Sequence, residues 1–400
     1  AFVKNNFLKS GIVSEISIAR SILQYYAFNN SKDGDAIYVL DEDMQLSSIY
    51  RENNKFEIKK ADIKKFVEQY FGKADAVIGS YSGDAPIPSL STLRTSLLDY
   101  VYSKKLRKNN LAQEQLYYKK DYYYSFSDEG NICNETPFPL IQDCSINDVL
   151  GGKAISRPLF ETSNYDYEPI RRGGNTLFFN RKLLLVPNLS IKIGESISRR
   201  GDSLWIILAK KKGYKIIGSS FSLIQNRLSY EFDLNKELKK EALDILDYAM
   251  VTAISKEGFA SRTNFYNQYS SAIKYRSIRF GINYFRIIGL LKILDDKNLK
   301  YLENEEIIYN FIRKIKELTN ISYVLAGFSE LKSYLLLDER KNEFEKIKDF
   351  LTNKCKCDNP IFIGFGEEGA VYNSKDKTYK VFFEKKGLNF FKSVIENLII

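Results

Sequence analysis

The sequence contains no histidine among its 400 residues, and cysteine, methionine and tryptophan are all rare. Because histidine supplies the base of Ser-His and Cys-His hydrolases and many zinc ligands, its absence excludes those classes of enzyme. Proton transfer must then fall to Asp, Glu, Lys or Tyr. The four cysteines are too few for a disulfide framework, and Cys355-Lys-Cys357 lacks the two-residue gap of a zinc knuckle. They predict reduced thiols and a cytoplasmic location.

Long apolar runs are also absent. The best candidate, Ile287 to Leu294, is interrupted by Lys292 and is much shorter than the roughly 18 residues that a span requires, so we expect no membrane span. The chain opens Ala-Phe-Val without the pattern of a signal peptide, which suggests a piece of a longer polypeptide.

What is present is the composition of a globular protein, with 44% hydrophobic and 28% charged residues. The formal charge of +10 could attract anions, but Lys is spread along the chain, which favours a solubilising surface. The segment Tyr117 to Tyr124 mixes aromatic and basic residues, as single-strand binders do. We interpret it as a Tyr-rich strand pair and expect no nucleic-acid partner.

The pattern of apolar residues changes twice along the chain. Residues 1–232 alternate short β-rich runs with helical stretches, which predicts an α/β domain. Residues 233–353 carry apolar residues at three- and four-residue spacing, which predicts a helical module. Residues 358–400 contain three short β-rich runs separated by a glycine-rich turn and a polar turn.

The acidic end of one predicted strand is the first candidate site. Residues 36–43 read Ala-Ile-Tyr-Val-Leu-Asp-Glu-Asp. If the backbone stays extended, Asp41 and Asp43 lie on the same side of the strand. Two carboxylates there are suitable oxygen ligands for Mg²⁺ or Mn²⁺. A solvated acidic turn is the alternative.

Another candidate carboxylate, Asp202, lies at the start of a predicted helix. Arg199-Arg200-Gly201 precedes it, and Trp205 and then Gly213-Tyr214-Lys215-Ile216 follow. The order is a carboxylate, an apolar helix, a glycine stop and a new strand. By itself Asp202 could be no more than an N-cap, held by the free amides of the first turn.

Together these segments resemble a GT-A-fold glycosyltransferase of the broad family-2 type. The resemblance implies a Rossmann-like mixed sheet in which Asp41 and Asp43, as an Asp-x-Asp motif, bind Mn²⁺ or Mg²⁺ and the donor diphosphate. It implies that Asp202 is the catalytic base. Gly174, in a run Arg171–Arg181, matches the strand that lines the acceptor side, and Gln225 stands where the family often has a metal-binding histidine.

The implied reaction moves a sugar from a nucleoside-diphosphate donor to an unknown hydroxyl acceptor, with Arg199 and Arg200 as a candidate phosphate clamp. Two departures keep a catalytically silent binding or scaffold protein open as an alternative. Gln225 is a weaker ligand than histidine, and only 40 residues precede Asp41, where the family has nucleotide-binding strands.

The last forty residues resemble the start of a protein-kinase-like N-lobe. The run Gly364-x-Gly366-x-x-Gly369-x-Val371 lies between predicted strands, and Lys380 lies on the next strand. The resemblance implies a loop over ATP phosphates and a Lys380–Glu396 pair; its catalytic-loop residues would follow Ile400. An ordinary glycine-rich hairpin and a substrate-recognition role for residues 1–353 are alternatives.

Overall fold

The structure is a computed structural model of all 400 residues. It describes residues 15–41, 43–53, 55–84, 89–101, 134–135, 149, 159–161, 166–169, 177–198, 201–226, 233–259, 261–294, 305–339, 341–365, 369–375 and 377–382.

The described chain is mixed α/β. Its helices are α1 (Glu15–Asn30), α2 (Ile63–Tyr70), α3 (Ser89–Val101), α4 (Gly201–Lys211), α5 (Leu234–Glu257), α6 (Arg262–Leu294), α7 (Glu305–Leu318), α8 (Ile321–Glu339) and α9 (Lys341–Asn353). Its strands are β1 (Ala36–Val39), β2 (Met44–Gln45), β3 (Ser47–Glu52), β4 (Lys55–Lys60), β5 (Ala76–Gly83), β6 (Asn134–Glu135), β7 (Leu159–Phe160), β8 (Asp166–Tyr167), β9 (Leu177–Asn180), β10 (Lys192–Ile193), β11 (Ser196–Ile197), β12 (Ile216–Gln225), β13 (Ile361–Phe365), β14 (Gly369–Ser374) and β15 (Lys377–Phe382). The chain divides into two compact units, residues 1–325 and 326–400.

A mixed sheet organises the first unit, with the order β1-β9-β5-β12-β2. Both β1 and β5 are antiparallel to β9, and β12 is parallel to β5. Therefore β1, β5 and β12 all run in the same direction, and their carboxyl ends lie along one edge. We call this the carboxyl edge, where α/β sheets commonly bind ligands.

Helices cover both faces of this sheet. Successive residues of a strand point to opposite faces, and β9 shows this clearly. Phe178 packs in a cluster with Phe66 and Tyr70 of α2, whereas the Phe179 ring lies 5.9 Å from that of Trp205 in α4. All eight residues of β5 are buried, as expected for a central strand covered on both sides.

Long helices complete the first unit, and α5 shows why they begin and end where they do. Asp233 caps its start, because the Asp233 carboxylate accepts a 3.1 Å hydrogen bond from the Lys236 amide. Gly258 ends it with a φ of 60°. The apolar spacing over residues 233–353 predicted helices, and α5 to α9 lie in that range.

The second unit contains a small antiparallel sheet, β13-β14-β15. Ala370 and Tyr372 of β14 are buried with Leu351 and Cys357. The Tyr372 hydroxyl donates a 3.0 Å hydrogen bond to the carbonyl of Phe344, and burial raises the pKa of Tyr372 to about 12. The strands β13, β14 and β15 are the three strands that the sequence predicted in this region. Cys355 and Cys357 are free thiols.

Candidate functional site

The acidic segment after β1 is a turn at the carboxyl edge. The sequence reading extended the strand to residue 43, but β1 ends at Val39. The Met44 amide donates a 3.2 Å hydrogen bond to the carbonyl of Asp41, which closes a tight turn. The extended backbone on which the pairing of Asp41 and Asp43 depended is therefore absent, and the segment forms the turn that was the alternative. The turn forms because β2 must reverse direction to pair with β12.

Asp43 lies against the end of β12. The Gln225 side-chain nitrogen Nε2 donates a 2.8 Å hydrogen bond to Oδ2 of Asp43. The backbone follows the same path, because the Asn226 amide donates a 2.9 Å hydrogen bond to the carbonyl of Asp43. Two residues that the sequence resemblance assigned to one metal site are thus in direct contact, although 182 positions separate them.

The side-chain oxygen of Gln225, Oε1, is the most informative atom at this edge. Oε1 is buried and accepts no hydrogen bond from any part of the chain that the structure describes. Leaving a buried acceptor unsatisfied costs about 1–3 kcal/mol, so the atom requires an explanation, and a bound ion, water or ligand would supply one.

The end of β5 completes the edge through a close backbone approach. Gly83 has a φ of 82°, and a Cβ there would lie 2.6 Å from the carbonyl oxygen of Gln225. The next residue, Asp84, donates a 2.9 Å hydrogen bond from its amide to that same carbonyl. Only glycine permits this geometry, which brings the ends of β5 and β12 together.

A cavity of about 290 Å³ opens between α1 and β1. Its wall includes Arg20 and Gln24 from α1, and Tyr38 and Asp41 from the β1 segment. Buried Gln24 tethers the helix through a 3.1 Å hydrogen bond from its Nε2 to the carbonyl of Val186. Burial raises the pKa of Tyr38 to about 12, so this hydroxyl stays protonated at neutral pH.

Asp202 contacts Arg20, one of the residues that line this cavity. It lies in the first turn of α4, as the sequence predicted, and its carboxylate forms an ion pair with the Arg20 guanidinium. The start of α4 is fixed by Gly201, where a Cβ would collide with the carbonyl oxygen of Leu189. Since α4 precedes β12 and connects to its start through a short turn, the helix returns along the sheet and begins near the carboxyl edge.

Sequence reasoning did not identify Arg20, Gln24 or Tyr38. Nothing in their immediate neighbourhood distinguishes Arg20 from an ordinary surface arginine on a helix. Its significance comes from Asp202, which lies 182 positions away.

The donor set fits a divalent cation only in part. In the described part of the chain no group of three or more Asp, Glu, His or Cys side chains is placed to hold a metal ion. Asp43 and the unpartnered Gln225 oxygen nevertheless offer hard oxygen ligands of the kind that Mg²⁺ and Mn²⁺ prefer. Mg²⁺ is often held by one or two carboxylates together with substrate phosphates. The described donor set is therefore incomplete for a divalent cation unless other oxygens, such as those of a substrate phosphate, supply the remaining ligands.

Several residues of the sequence prediction lie outside the described residues. Gly174, Arg199, Arg200, Gly366 and Glu396 belong to this group. Their assigned roles remain predictions.

The second candidate site lies on the small sheet. Gly364 is in β13, Gly369 begins β14, and Val371 is the cross-strand partner of Lys380. The Lys380 ammonium group lies 4.7 Å from the centre of the Phe382 ring on the same strand. The order of the three strands is the one that the sequence predicted, whereas the role of the glycine-rich segment and of Lys380 remains a prediction.

Comparison with known proteins adds no assignment. No family model, no curated protein and no solved structure matches this chain. Among the described helices, none is long and apolar enough to cross a membrane.

Proposed function

We propose that the chain is a metal-dependent glycosyltransferase that uses a nucleoside-diphosphate sugar. One observation carries the proposal: the contact between Asp43 and Gln225 at the carboxyl edge, with a buried Gln225 oxygen that has no partner in the described chain. The GT-A-like fold and a cytoplasmic location belong to the same proposal.

Asp41, Asp43 and Gln225 would hold Mn²⁺ or Mg²⁺, together with oxygens of the donor diphosphate. The cation would neutralise charge on the departing nucleoside diphosphate. For the chain, the task is to present oxygen ligands at a fixed edge of the sheet. The backbone hydrogen bonds from Asn226 and Asp84 support this task, because they bind the ends of β1, β5 and β12 together.

Asp202 is the proposed base, which takes the proton from the acceptor hydroxyl. Its ion-pair partner Arg20 lines the same cavity as Asp41, which links the carboxylate of Asp202 to that cavity. Arg20 is therefore a positioning residue in this proposal. Arg199 and Arg200 remain the candidate clamp for the diphosphate, and Gly174 remains the candidate for the acceptor side.

Calorimetry on the full chain with UDP-, GDP- and TDP-sugars, with Mn²⁺ and with chelator, tests the proposal. We expect one donor to bind only in the presence of Mn²⁺. Gln225→Ala should weaken this binding by at least roughly tenfold, since it removes a metal ligand and even the loss of a group that only orients a ligand typically costs that much.

Asp33→Asn is the matched control, because Asp33 is an exposed carboxylate in the turn before β1, at the opposite end of that strand. It should leave donor binding unchanged. Binding of a donor that is equally tight with chelator, or binding of none of the donors, would contradict the proposal. Metal-dependent binding without transfer would favour the silent binding protein instead.

A second candidate function concerns residues 358–400. The pairing of Val371 with Lys380 favours a kinase-like nucleotide site on β13-β14-β15. Titration with ATP and Mg²⁺ tests it, with Lys380→Met as the variant and exposed Lys377→Met as the control. Loss of ATP binding in Lys380→Met alone supports the site, whereas an ordinary hairpin gives no ATP binding in any of the three proteins.

A further inference from the structure

Helix α6 exposes a stripe of large apolar side chains to solvent. The helix is 33 residues long, and its other face is buried. The stripe consists of Tyr275 (48% exposed), Ile278 (55%), Ile282 (47%), Phe285 (75%) and Ile293 (54%).

The spacing of these residues places them in one line along the helix. At about 100° per residue they fall within an arc of roughly 80°, and at 1.5 Å per residue they extend over about 27 Å. Phe265, Ile273, Phe280 and Ile287 on the other face are buried, so the stripe is not a part of the core that has been left open. Contiguous exposed apolar surface of this kind commonly marks an interaction site.

The charges on the same helix all have one sign. Between Arg262 and Leu294 there are six Arg or Lys residues and no Asp or Glu. In the same helical projection Lys274 and Lys292 border the stripe on one side, and Arg279 and Arg286 border it on the other. A row of aliphatic and aromatic side chains bordered by cations is the pattern of helices that lie in a membrane interface.

We propose that the exposed stripe of α6 binds the surface of a membrane that contains anionic lipids. The helix lies parallel to the surface, with the stripe at the boundary of the acyl chains and the basic borders among the headgroups. This mode of binding needs no spanning helix, and none is present among the described residues.

A second copy of the chain is a poorer occupant of the same surface. Two stripes that face each other across a two-fold axis would bring like charges together, because the helix carries no carboxylate to complement its cations. The inference does not depend on the proposed transferase activity.

Co-sedimentation of the full chain with vesicles tests the proposal. We expect binding to vesicles of phosphatidylcholine with 30% phosphatidylserine, and much weaker binding to phosphatidylcholine alone. Ile282→Ser with Phe285→Ser should weaken binding more than tenfold, because two large apolar side chains no longer enter the interface. Lys274→Gln with Lys292→Gln should weaken it about 25-fold, at about fivefold per cation.

The matched control combines Ile58→Ser with Lys64→Gln, which removes one exposed apolar side chain and one exposed cation from other parts of the first unit. It should bind vesicles as the unchanged protein does. Thermal melting checks that each variant is folded.

Three results would overturn the proposal. The first is an absence of vesicle binding, and the second is equal binding to neutral and anionic vesicles. The third is a doubling of molecular mass in solution that Ile282→Ser with Phe285→Ser abolishes, which would assign the stripe to self-association.

Discussion

The two candidate nucleotide sites differ in the sequence separation between the residues that form them. At the carboxyl edge, Asp43 contacts Gln225 and Arg20 contacts Asp202, and each pair is separated by 182 positions. On the small sheet, Val371 and Lys380 meet across neighbouring strands. The first arrangement exists only when the whole first unit has folded, whereas the second follows from two consecutive turns.

This difference bears on how each site should be judged. A short antiparallel meander brings a glycine-rich turn next to a lysine strand in many proteins, so the small sheet is weak support for a nucleotide site. Distant segments that bring to one sheet edge a carboxylate and a buried amide oxygen, one with no hydrogen-bond partner among the described residues, are a more specific arrangement. We therefore give the carboxyl edge the main role in the proposed function.

The largest expected effect is on catalysis. Asp202→Asn removes the proposed base, and we expect sugar transfer to fall by about 10²–10⁴-fold at unchanged donor affinity. Single-turnover transfer and calorimetry measure the two quantities separately. Lys380→Met on the small sheet should leave transfer unchanged. Full activity in Asp202→Asn would mean that a catalytic role is no better supported at the carboxyl edge than at the small sheet.

A large effect on stability is expected where β5 meets β12. Gly83→Ala introduces a side chain at a positive φ and against the carbonyl of Gln225, so we expect a loss of at least about 3 kcal/mol in the free energy of unfolding. Gly72→Ala is the control, because Gly72 has a φ of 77° but open space around it. It should cost only about 1 kcal/mol. Equal losses in denaturant unfolding would mean that the close approach is absent.

A smaller effect is expected in the second unit. Tyr372→Phe removes the hydrogen bond from the Tyr372 hydroxyl to the carbonyl of Phe344, which should lower the free energy of unfolding by about 1 kcal/mol. Tyr379→Phe would be a poor control because Tyr379 is partly buried against the same core, so exposed Tyr323→Phe in the first unit serves instead. Donor binding at the carboxyl edge should not change in either variant.

The smallest effect concerns pH. Burial raises the pKa of Glu161, whose Oε2 accepts a 3.0 Å hydrogen bond from Ser222 of β12. The folded protein therefore holds this proton more tightly than the unfolded chain, so stability falls as pH rises above the unfolded value of 4.5 through the raised folded value. Glu161→Gln should raise Tm slightly at pH 7–8 and have no advantage near pH 4.

Exposed Glu57→Gln is the control for that comparison. Asp358 in the second unit has a pKa shift in the opposite direction, because the Lys375 ammonium group lowers the pKa of its carboxylate. Its contribution should be lost as pH falls. Thermal melts from pH 4 to 8 measure these changes. If the increase in Tm of Glu161→Gln were largest at acidic pH, the pKa of Glu161 would not be raised on folding.

The sequence predicted several local features around the carboxyl edge. The apolar run before Asp41, the helix that begins near Asp202, and the glycine stop at Gly213 all have local causes, namely side-chain alternation, helix ends and a positive φ of 82°. The domain boundaries that we drew from the pattern of apolar residues remain predictions.

Two features depend on neighbours far along the chain, and sequence patterns did not settle them. The backbone at Asp41 and Asp43 is a turn rather than an extended strand, because β2 pairs with β12. Ile22 and Leu23 of α1 have helical spacing, yet they are 53% and 65% exposed. Spacing along a helix identifies a possible face but not whether another element covers it.

By itself, the sequence determined the type and order of many local elements, such as the helix that begins near Asp202 and its glycine stop, because those features depend on residues a few positions apart. Only the tertiary structure decided that Gln225 contacts Asp43, that Arg20 pairs with Asp202, and that the stripe of α6 faces solvent. The physical reason is that contact and burial are set by the packing of distant elements, and no local pattern carries that information.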